Sequence, residues 1–477
     1  MNNLKTKNYP APKIYCIDAF CGAGGTTTSI SKVKGMEVIW CINHDANAII
    51  SHSLNHPACQ HSTEDIRSFD ITPLAELVKR LRAENPDCII LLHASLECTN
   101  FSNAKNGPKV ADSRTLANDL FRYLDALAVD ILTIENVQEF LTWGPLDGNG
   151  NPDKARLGES YREWVGTLTT KYFSEAYSED ILISADFGGL TIRERLFLQF
   201  AKNPNHIGVP EQTHEKSDWL PVRSVIDEEN HGKSMLHRKK DLAPNTMRRS
   251  YKGLLKFGPK SGTHFGLKYY GQDGWQDMEN PSATLTTKDR IYPVFIKTDY
   301  GQSIGRSLDE PFSTPKGEVI YTRRDAFIHN PQYGGSSRSV DAPAGTIIAR
   351  QDKAPIGLTE AFQHRERAKV IRYDQERDGK HPIRMVNGVV QYHIYSDDNE
   401  WMVKVKEYCY EHNILDLLMR PLTIEEMLQI QGFPKDYKLV GTGTERKKWI
   451  GNSVEVCVGE AFFSGIYEAV TKTAAAC

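Results

Sequence analysis

The spacing of apolar positions changes character along the chain. Over residues 14–200 short apolar runs alternate with amphipathic stretches. Ile14–Phe20, Val38–Ile42, Cys88–His93, Asp130–Ile134, Ile181–Ser184 and Leu196–Phe200 read as buried strands. Between them, Thr26–Lys34 (closed by Gly35), Ala46–Leu54 and Pro73–Ala83 carry helical spacing. Thr72 is placed to cap the third of these helices, with Pro73 at its first helical position. Apolar strands separated by helices predict an α/β fold: a mostly parallel, Rossmann-like sheet covered on both faces.

After about Asn203 this alternation stops. Residues 204–415 are rich in Gly, Pro and Tyr, with short β-like runs and few helical periods. A proline three residues before a threonine recurs there, at Pro281/Thr284, Pro311/Thr314 and Pro343/Thr346, with basic residues following. The recurrence predicts a stacked β-unit or is a chance repetition of turn residues. Helical signals return where Thr423 and Glu426 fit a capping box before MLQIQGF, and Val454–Val470 reads as a final helix. The expected organisation is a first domain over 1–203, a smaller β-rich domain over 204–415, and a segment over 416–477 that returns to the first.

Composition narrows the function classes. The chain has 477 residues, 40% hydrophobic and 25% charged, enough to bury a large core. No apolar stretch approaches the roughly 20 residues of a membrane span, and the opening MNNLKTKNYPAPK has no apolar run of a secretory signal. Nine scattered cysteines show no disulfide framework, which implies reduced thiols and a cytoplasmic protein. A formal net charge of −3 argues against a polyanionic partner. The distribution argues the other way, because residues 233–350 hold 19 Lys+Arg against 11 Asp+Glu. A basic middle on an acidic body fits nucleic-acid binding, or a solvated surface domain.

Five short segments carry candidate chemistry. Asp18-Ala-Phe20-Cys-Gly22-Ala-Gly24-Gly25 joins a strand to a helix, where glycines permit a tight turn and a close ligand. Many nucleotide-binding proteins share such a loop, so a nicotinamide-dependent dehydrogenase stays open, while the absence of GxxxxGK[ST] disfavours an ATPase. Glu97-Cys98-Thr99-Asn100-Phe101-Ser102 follows the strand Cys88–His93, on the ligand side of such a sheet. A lone cysteine is more often a buried structural residue. Glu135-Asn136-Val137 ends another apolar strand, where a carboxylate is costly to bury without a task or a partner. Arg193-Glu194-Arg195 places two arginines on one face of an extended segment, and Gly451-Asn452-Ser453-Val454 opens the terminal helix.

In this order the segments resemble the motifs of the DNA (cytosine-5)-methyltransferase family. DAFCGAGG resembles its cofactor loop, ECTNFS its catalytic loop, ENV its glutamate motif and TIRERLF its arginine motif. RPLTIEEMLQIQGFP and GNSV look like its last two. The match covers roughly 14–200 and 420–470, which leaves 204–415 where that family keeps its target-recognition region. The resemblance implies Cys98 as the nucleophile adding to carbon 6 of a flipped cytosine, so that carbon 5 can accept a methyl group. It implies Glu135 on the N3 edge of the base. Arg193, Arg195 and Arg114 would position the base and the catalytic loop. The implied cofactor is S-adenosyl-L-methionine, with Phe20 on the adenine and Gly22, Gly24 and Gly25 admitting the methionine end. Asp65, Ile66, Leu116 and Asn452 would line the same pocket. Asn43 stands where the family has a ribose-binding glutamate, with Asp45 as a substitute.

Two further departures concern the reaction. Glu97 replaces a proline beside the nucleophile, and a carboxylate close to Cys98 would disfavour its thiolate. Thr191 replaces the glutamine that usually opens the arginine motif. The implied partner is double-stranded DNA, with a cognate restriction endonuclease as a further partner, no membrane and a monomeric state. The alternatives are the same reaction on RNA, as in the family's tRNA-modifying branch, and a catalytically inactive DNA-binding relative. No metal is expected: His44, His52, His56, Cys59 and His61 cluster along the chain, but their spacings match no familiar zinc pattern.

Overall fold

The N-terminal apolar runs become strands of one sheet: β1 (Ile14–Ala19), β2 (Met36–Ile42), β3 (Gln60–Ser62), β4 (Ile89–Ser95), β5 (Ile131–Asn136), β6 (Tyr177–Ile183) and β7 (Glu194–Ala201). The computed structural model describes residues 12–96, 116–174, 176–227, 230, 233–238, 240–257, 265–269, 275–277, 294–296, 325–329, 335–339, 357–363, 369–373, 383–386, 389–412 and 414–476. The sheet runs in the order β3-β2-β1-β4-β5-β7-β6. β1 to β5 pair in parallel and β6 and β7 run antiparallel, so the expected α/β class and mostly parallel sheet are what the chain forms.

Among the described residues, five helices connect these strands: α1 (Gly25–Ser31), α2 (Ala46–Asn55), α3 (Thr72–Glu84), α4 (Leu120–Leu127) and α5 (Glu159–Lys171). Crossovers between parallel strands put helices on the sheet faces, so β1 is buried along its whole length. One face packs Ile17, Leu92 and Leu132 against Leu74, Tyr123 and Trp164 of α3, α4 and α5. The cap of α3 differs from expectation: Thr72 lies inside the helix, and its N–H donates to Asp70 Oδ1 at 3.0 Å. β6 begins four residues earlier than its apolar end suggests, because it is an edge strand with alternating exposure.

Residues 219–430 form a second compact unit, and the first combines 1–218 with 431–477. Among its described residues the second unit holds an eight-stranded and a three-stranded sheet. It also contains two helices where few helical periods were expected, α6 (Pro244–Phe257) and α7 (Glu400–Glu411). They pack together, with Tyr408 Oη donating to the Leu254 carbonyl at 2.7 Å and the Tyr251 ring 6.1 Å from Trp401. The short α8 (Ile424–Ile430) follows the expected capping box: Thr423 N–H donates to Glu426 Oε2 at 2.7 Å, and Glu426 N–H to Thr423 Oγ1 at 3.1 Å. Glu426 also accepts from Arg420 at 2.6 and 2.7 Å. The recurring Pro/Thr pairs lie outside the described residues.

The expected boundaries fall inside these units. Residues 204–218 go with the first, where the Gly208 carbonyl accepts from Gln199 Nε2 at 2.7 Å. Residues 416–430 go with the second, where the strand Ile414–Met419 pairs with Gly357–Gln363.

The chain re-enters the first unit with α9 (Gly443–Asn452) and α10 (Val456–Ala476). α10 covers the other face of the sheet, packing Phe462, Phe463 and Ile466 against Cys16, Leu91 and Ile131. It crosses α1 closely: Ser29 Oγ donates to the Val456 carbonyl at 3.1 Å, and a Cβ on Gly459 would lie 2.4 Å from that hydroxyl. Among the described residues no helix is long and apolar enough to cross a membrane.

Glu455, fully buried just before α10, accepts the Val458 N–H at 3.0 Å through Oε2, while Oε1 has no partner. Burial pushes its carboxyl up from the ordinary 4.5 to about 7. The folded state therefore holds this proton more tightly than the unfolded chain. The stabilisation is complete below about pH 4.5 and is lost as pH rises to about 7. Glu455→Gln should remove that loss, stabilising the chain on the order of 2 kcal/mol at pH 8 and little at pH 5. Urea midpoints at the two pH values test this, and equal gains at both would contradict it.

Candidate active site

The carboxyl ends of the parallel strands carry a buried polar row. Asp18 on β1 pairs in register with His93 on β4, which pairs with Thr133 on β5, and all three are fully buried. His93 Nδ1 lies 2.9 Å from Thr133 Oγ1 and Nε2 lies 3.0 Å from Ser95 Oγ. Burial lowers the His93 pKa to about 3, so the imidazole is neutral. Thr27 Oγ1, from α1, donates to Asp18 Oδ2 at 2.7 Å. Asp18 Oδ1 has no partner, and burial raises that carboxyl to about 7.

One alternation further along β5 is Glu135, in register with Ser95 of β4. Its Oε1 lies 3.1 Å from Arg195 Nε, with side chains only 6% and 11% exposed. Arg195 Nη1 also donates to the Glu194 carbonyl at 2.7 Å. The neighbouring Asn136 accepts the Val137 N–H at 2.8 Å and leaves Nδ2 buried without a partner. An ion pair with an unmatched amide donor beside it, at the ligand side of a parallel sheet, is equipped to hold a planar polar group.

The two arginines of the RER segment separate. Arg193 is 2% exposed and donates from Nη1 to the Gly451 carbonyl at 3.0 Å. It thus joins the segment before β7 to the GNSV turn, whereas Arg195 joins Glu135. Glu97, Cys98 and Arg114 lie outside the described residues.

In the glycine loop the roles also divide. Phe20 and Gly22 adopt left-handed backbone, with φ of 60° and 52°. A Cβ on Gly22 would meet nothing within 4 Å, so the space beside the loop is open there. Gly24 and Gly25 are required by packing instead. Cβ atoms there would lie 2.3 Å from Tyr437 Oη and 2.7 Å from the Val454 carbonyl, and Tyr437 Oη donates to the Ala23 carbonyl at 2.5 Å.

The remaining expected positions are placed as follows. Asn43 ends the β2 turn half-buried, its N–H donating to the Ser62 carbonyl at 3.1 Å. Asp45 has both oxygens engaged, Oδ1 by the Ala48 N–H at 3.2 Å and Oδ2 by Trp449 Nε1 at 3.0 Å. It is the cap of α2 and a tie to α9. Asp65 pairs with Arg67 at 2.7 and 2.9 Å, and these hydrogen bonds hold its carboxyl down to about 2. Ile66 and Leu116 are buried in one cluster, and the Ile66 carbonyl accepts from Tyr123 Oη at 2.7 Å. Asn452 is exposed at the end of α9.

Sequence reasoning passed over His93, Thr133 and Tyr437. His93 was visible as a polar residue ending an apolar run. Of the five clustered His/Cys candidates, His52, Cys59 and His61 come together, joined by Cys41. His44 is exposed, and His56 faces Thr28 at 3.0 Å and Tyr437 at 3.3 Å.

No curated protein matches the chain in sequence. Among solved structures it is similar to a DNMT2 mutant of Spodoptera frugiperda, at 14% identity and a TM-score of 0.48, over 95% of this chain and 100% of that one. It is also similar to a putative DNA modification methyltransferase encoded within an E. coli prophage, at 15% identity and a TM-score of 0.42, over 96% and 99% of the two chains. A third likeness is the Entamoeba histolytica methyltransferase EhMeth, at 13% identity and a TM-score of 0.44, over 96% and 98%. The model of the C-5 cytosine-specific DNA methylase family matches residues 14–468, nearly the whole chain, and the protein belongs to that family.

Proposed function

We propose that the protein transfers a methyl group from S-adenosyl-L-methionine to carbon 5 of a cytosine flipped out of duplex DNA, through a covalent adduct with Cys98. The observation that carries this reading is the Glu135–Arg195 pair on β5 and β7, in register with Ser95 of β4. Cys98 follows Ser95 by three positions in the chain.

The residues present fit the donor. Gly22 leaves open space beside Phe20, and Asp18 Oδ1 is an acceptor without a partner at the end of β1. Phe20 would stack on the adenine, with Asp65, Ile66, Leu116, Asn43 and Asn452 lining the pocket, and Asp45 serving through the structure of α2. S-adenosyl-L-methionine supplies an electrophilic methyl group when bound. Cys98 adds as thiolate to carbon 6 of the base, giving carbon 5 the electron density to accept that methyl. Glu135 holds the N3 edge as charge develops there, and Arg195 fixes the carboxylate's orientation. Loss of the carbon 5 proton and elimination of Cys98 restore aromaticity. Arg114 positions the catalytic loop, while Arg193 acts through the GNSV turn. The basic stretch over 233–350 supports the second unit as the DNA-reading part, with phosphate contacts setting register. A cognate endonuclease and a monomeric state belong to the same proposal.

The test is transfer of labelled methyl groups to mixed-sequence duplex DNA, comparing wild type with Cys98→Ala. Label on cytosine carbon 5 with wild type alone is the expected result. Label on tRNA instead would overturn the substrate, and labelling by the variant would overturn the nucleophile. Binding of DNA without labelling by either protein would favour an inactive relative.

A further inference from the structure

We propose that Cys41, His52, Cys59 and His61 form a binding site for one zinc ion, at the β2–β3 edge of the first unit's sheet. The four residues come from separate places in the chain. Cys41 lies near the end of β2 and is the register partner of His61 on β3. His52 faces inward from α2, and Cys59 sits in the connection leading into β3. One donor atom from each lies within 4.8 Å of all the others. The two sulfurs are 3.4 Å apart, Cys59 Sγ is 3.5 Å from His61 Nε2, and His52 Nδ1 is 2.8 Å from the same nitrogen. Bond lengths of about 2.3 Å to sulfur and about 2.0 Å to nitrogen space tetrahedral ligands roughly 3.3–3.8 Å apart. The cage therefore needs to open by about half an ångström between the imidazoles and to draw in its widest spacing, up to 4.8 Å, by roughly 1 Å.

The chemistry of the set selects the ion. Two soft thiolates and two imidazoles suit zinc, and no carboxylate among the four invites magnesium or calcium. Binding releases two thiol protons to solvent, and two thiolates neutralise a dication. The filled site thus carries no net charge into a place where Cys41 and His52 are fully buried and Cys59 is 8% exposed. The second nitrogen of His52 is already oriented: Nε2 lies 3.1 Å from Thr27 Oγ1, which donates to Asp18 at 2.7 Å. Such a chain fixes the imidazole with Nδ1 directed into the cage. The ion would tie the end of β2 to α2 and β3, the segments that lead to Asn43, Asp45 and Asp65.

The full chain, produced with zinc in the medium and desalted, should carry about one zinc per chain by elemental analysis. Cys59→Ser/His61→Asn should retain less than about a tenth of that, and Cys457→Ser the full amount. A variant that fails to fold would lose metal trivially, so wild type stripped by chelator is also titrated with cobalt(II). The expected result is tetrahedral d–d bands with a thiolate-to-cobalt charge-transfer band, saturating at about one equivalent. Metal-free wild type without those bands would overturn the site. So would zinc retained by the double variant, or a Cys41–Cys59 disulfide found by mass spectrometry in freshly isolated protein.

Discussion

Glu135→Gln is expected to lower kcat for methyl transfer by about 100- to 10,000-fold, with the urea midpoint changed little. The amide keeps an acceptor for Arg195 Nε, 3.1 Å away in the native pair, so packing at the end of β5 survives. What disappears is the negative charge that can share a proton with the base as its ring becomes electron-rich. Because Glu135 is 5% exposed, water cannot replace it in that role. Single-turnover rates at saturating cofactor and duplex measure the effect directly. A variant rate within a few-fold of wild type would remove Glu135 from the reaction.

Arg193→Ala should instead act on folding, costing on the order of 3 kcal/mol in urea unfolding. The side chain is among the largest fully buried ones, and its guanidinium donates to the Gly451 carbonyl. Truncation leaves both a cavity and an unsatisfied carbonyl at the turn that opens α10. Arg195→Ala, whose partner is Glu135, should show the opposite balance, a loss of rate exceeding the loss of stability. If Arg193→Ala were as stable as wild type yet inactive, the base-positioning role implied by the family motif would be restored to it.

The two arginines show where reading the chain succeeds and where it stops. The motifs put Glu135 at the end of a strand and the arginines on an extended segment, but their pairing rests on the antiparallel neighbouring of β5 and β7, which the sequence does not reveal. The partner of Arg193, 258 residues away, depends on how α9 and α10 close against β7 and has no local signal. β1 was legible as an apolar run, broken only by Asp18, because both its faces are covered. β3 was not, since Gln60-His61-Ser62 is a polar edge strand held by backbone pairing with β2. α7 carried its period in Met402, Val405 and Cys409, all buried, but that signal was overridden by the β-like composition around it. The proposed metal-ligand set is invisible to a spacing argument because Cys41 joins His61 through strand register, which local Cys/His patterns do not encode.

The joining of α1 to α10 has a consequence for synthesis on the ribosome. The glycine loop emerges well before the residues that buttress it, Tyr437, Ser453 and Val454, which lie more than 400 positions further along. Contacts of such long sequence separation form late, after the intervening 219–430 unit has had time to fold by itself. A nascent or truncated chain ending before about residue 430 therefore lacks the wall behind its glycine loop. The packing of Gly24 and Gly25 is then complete only once residues 437–454 are in place.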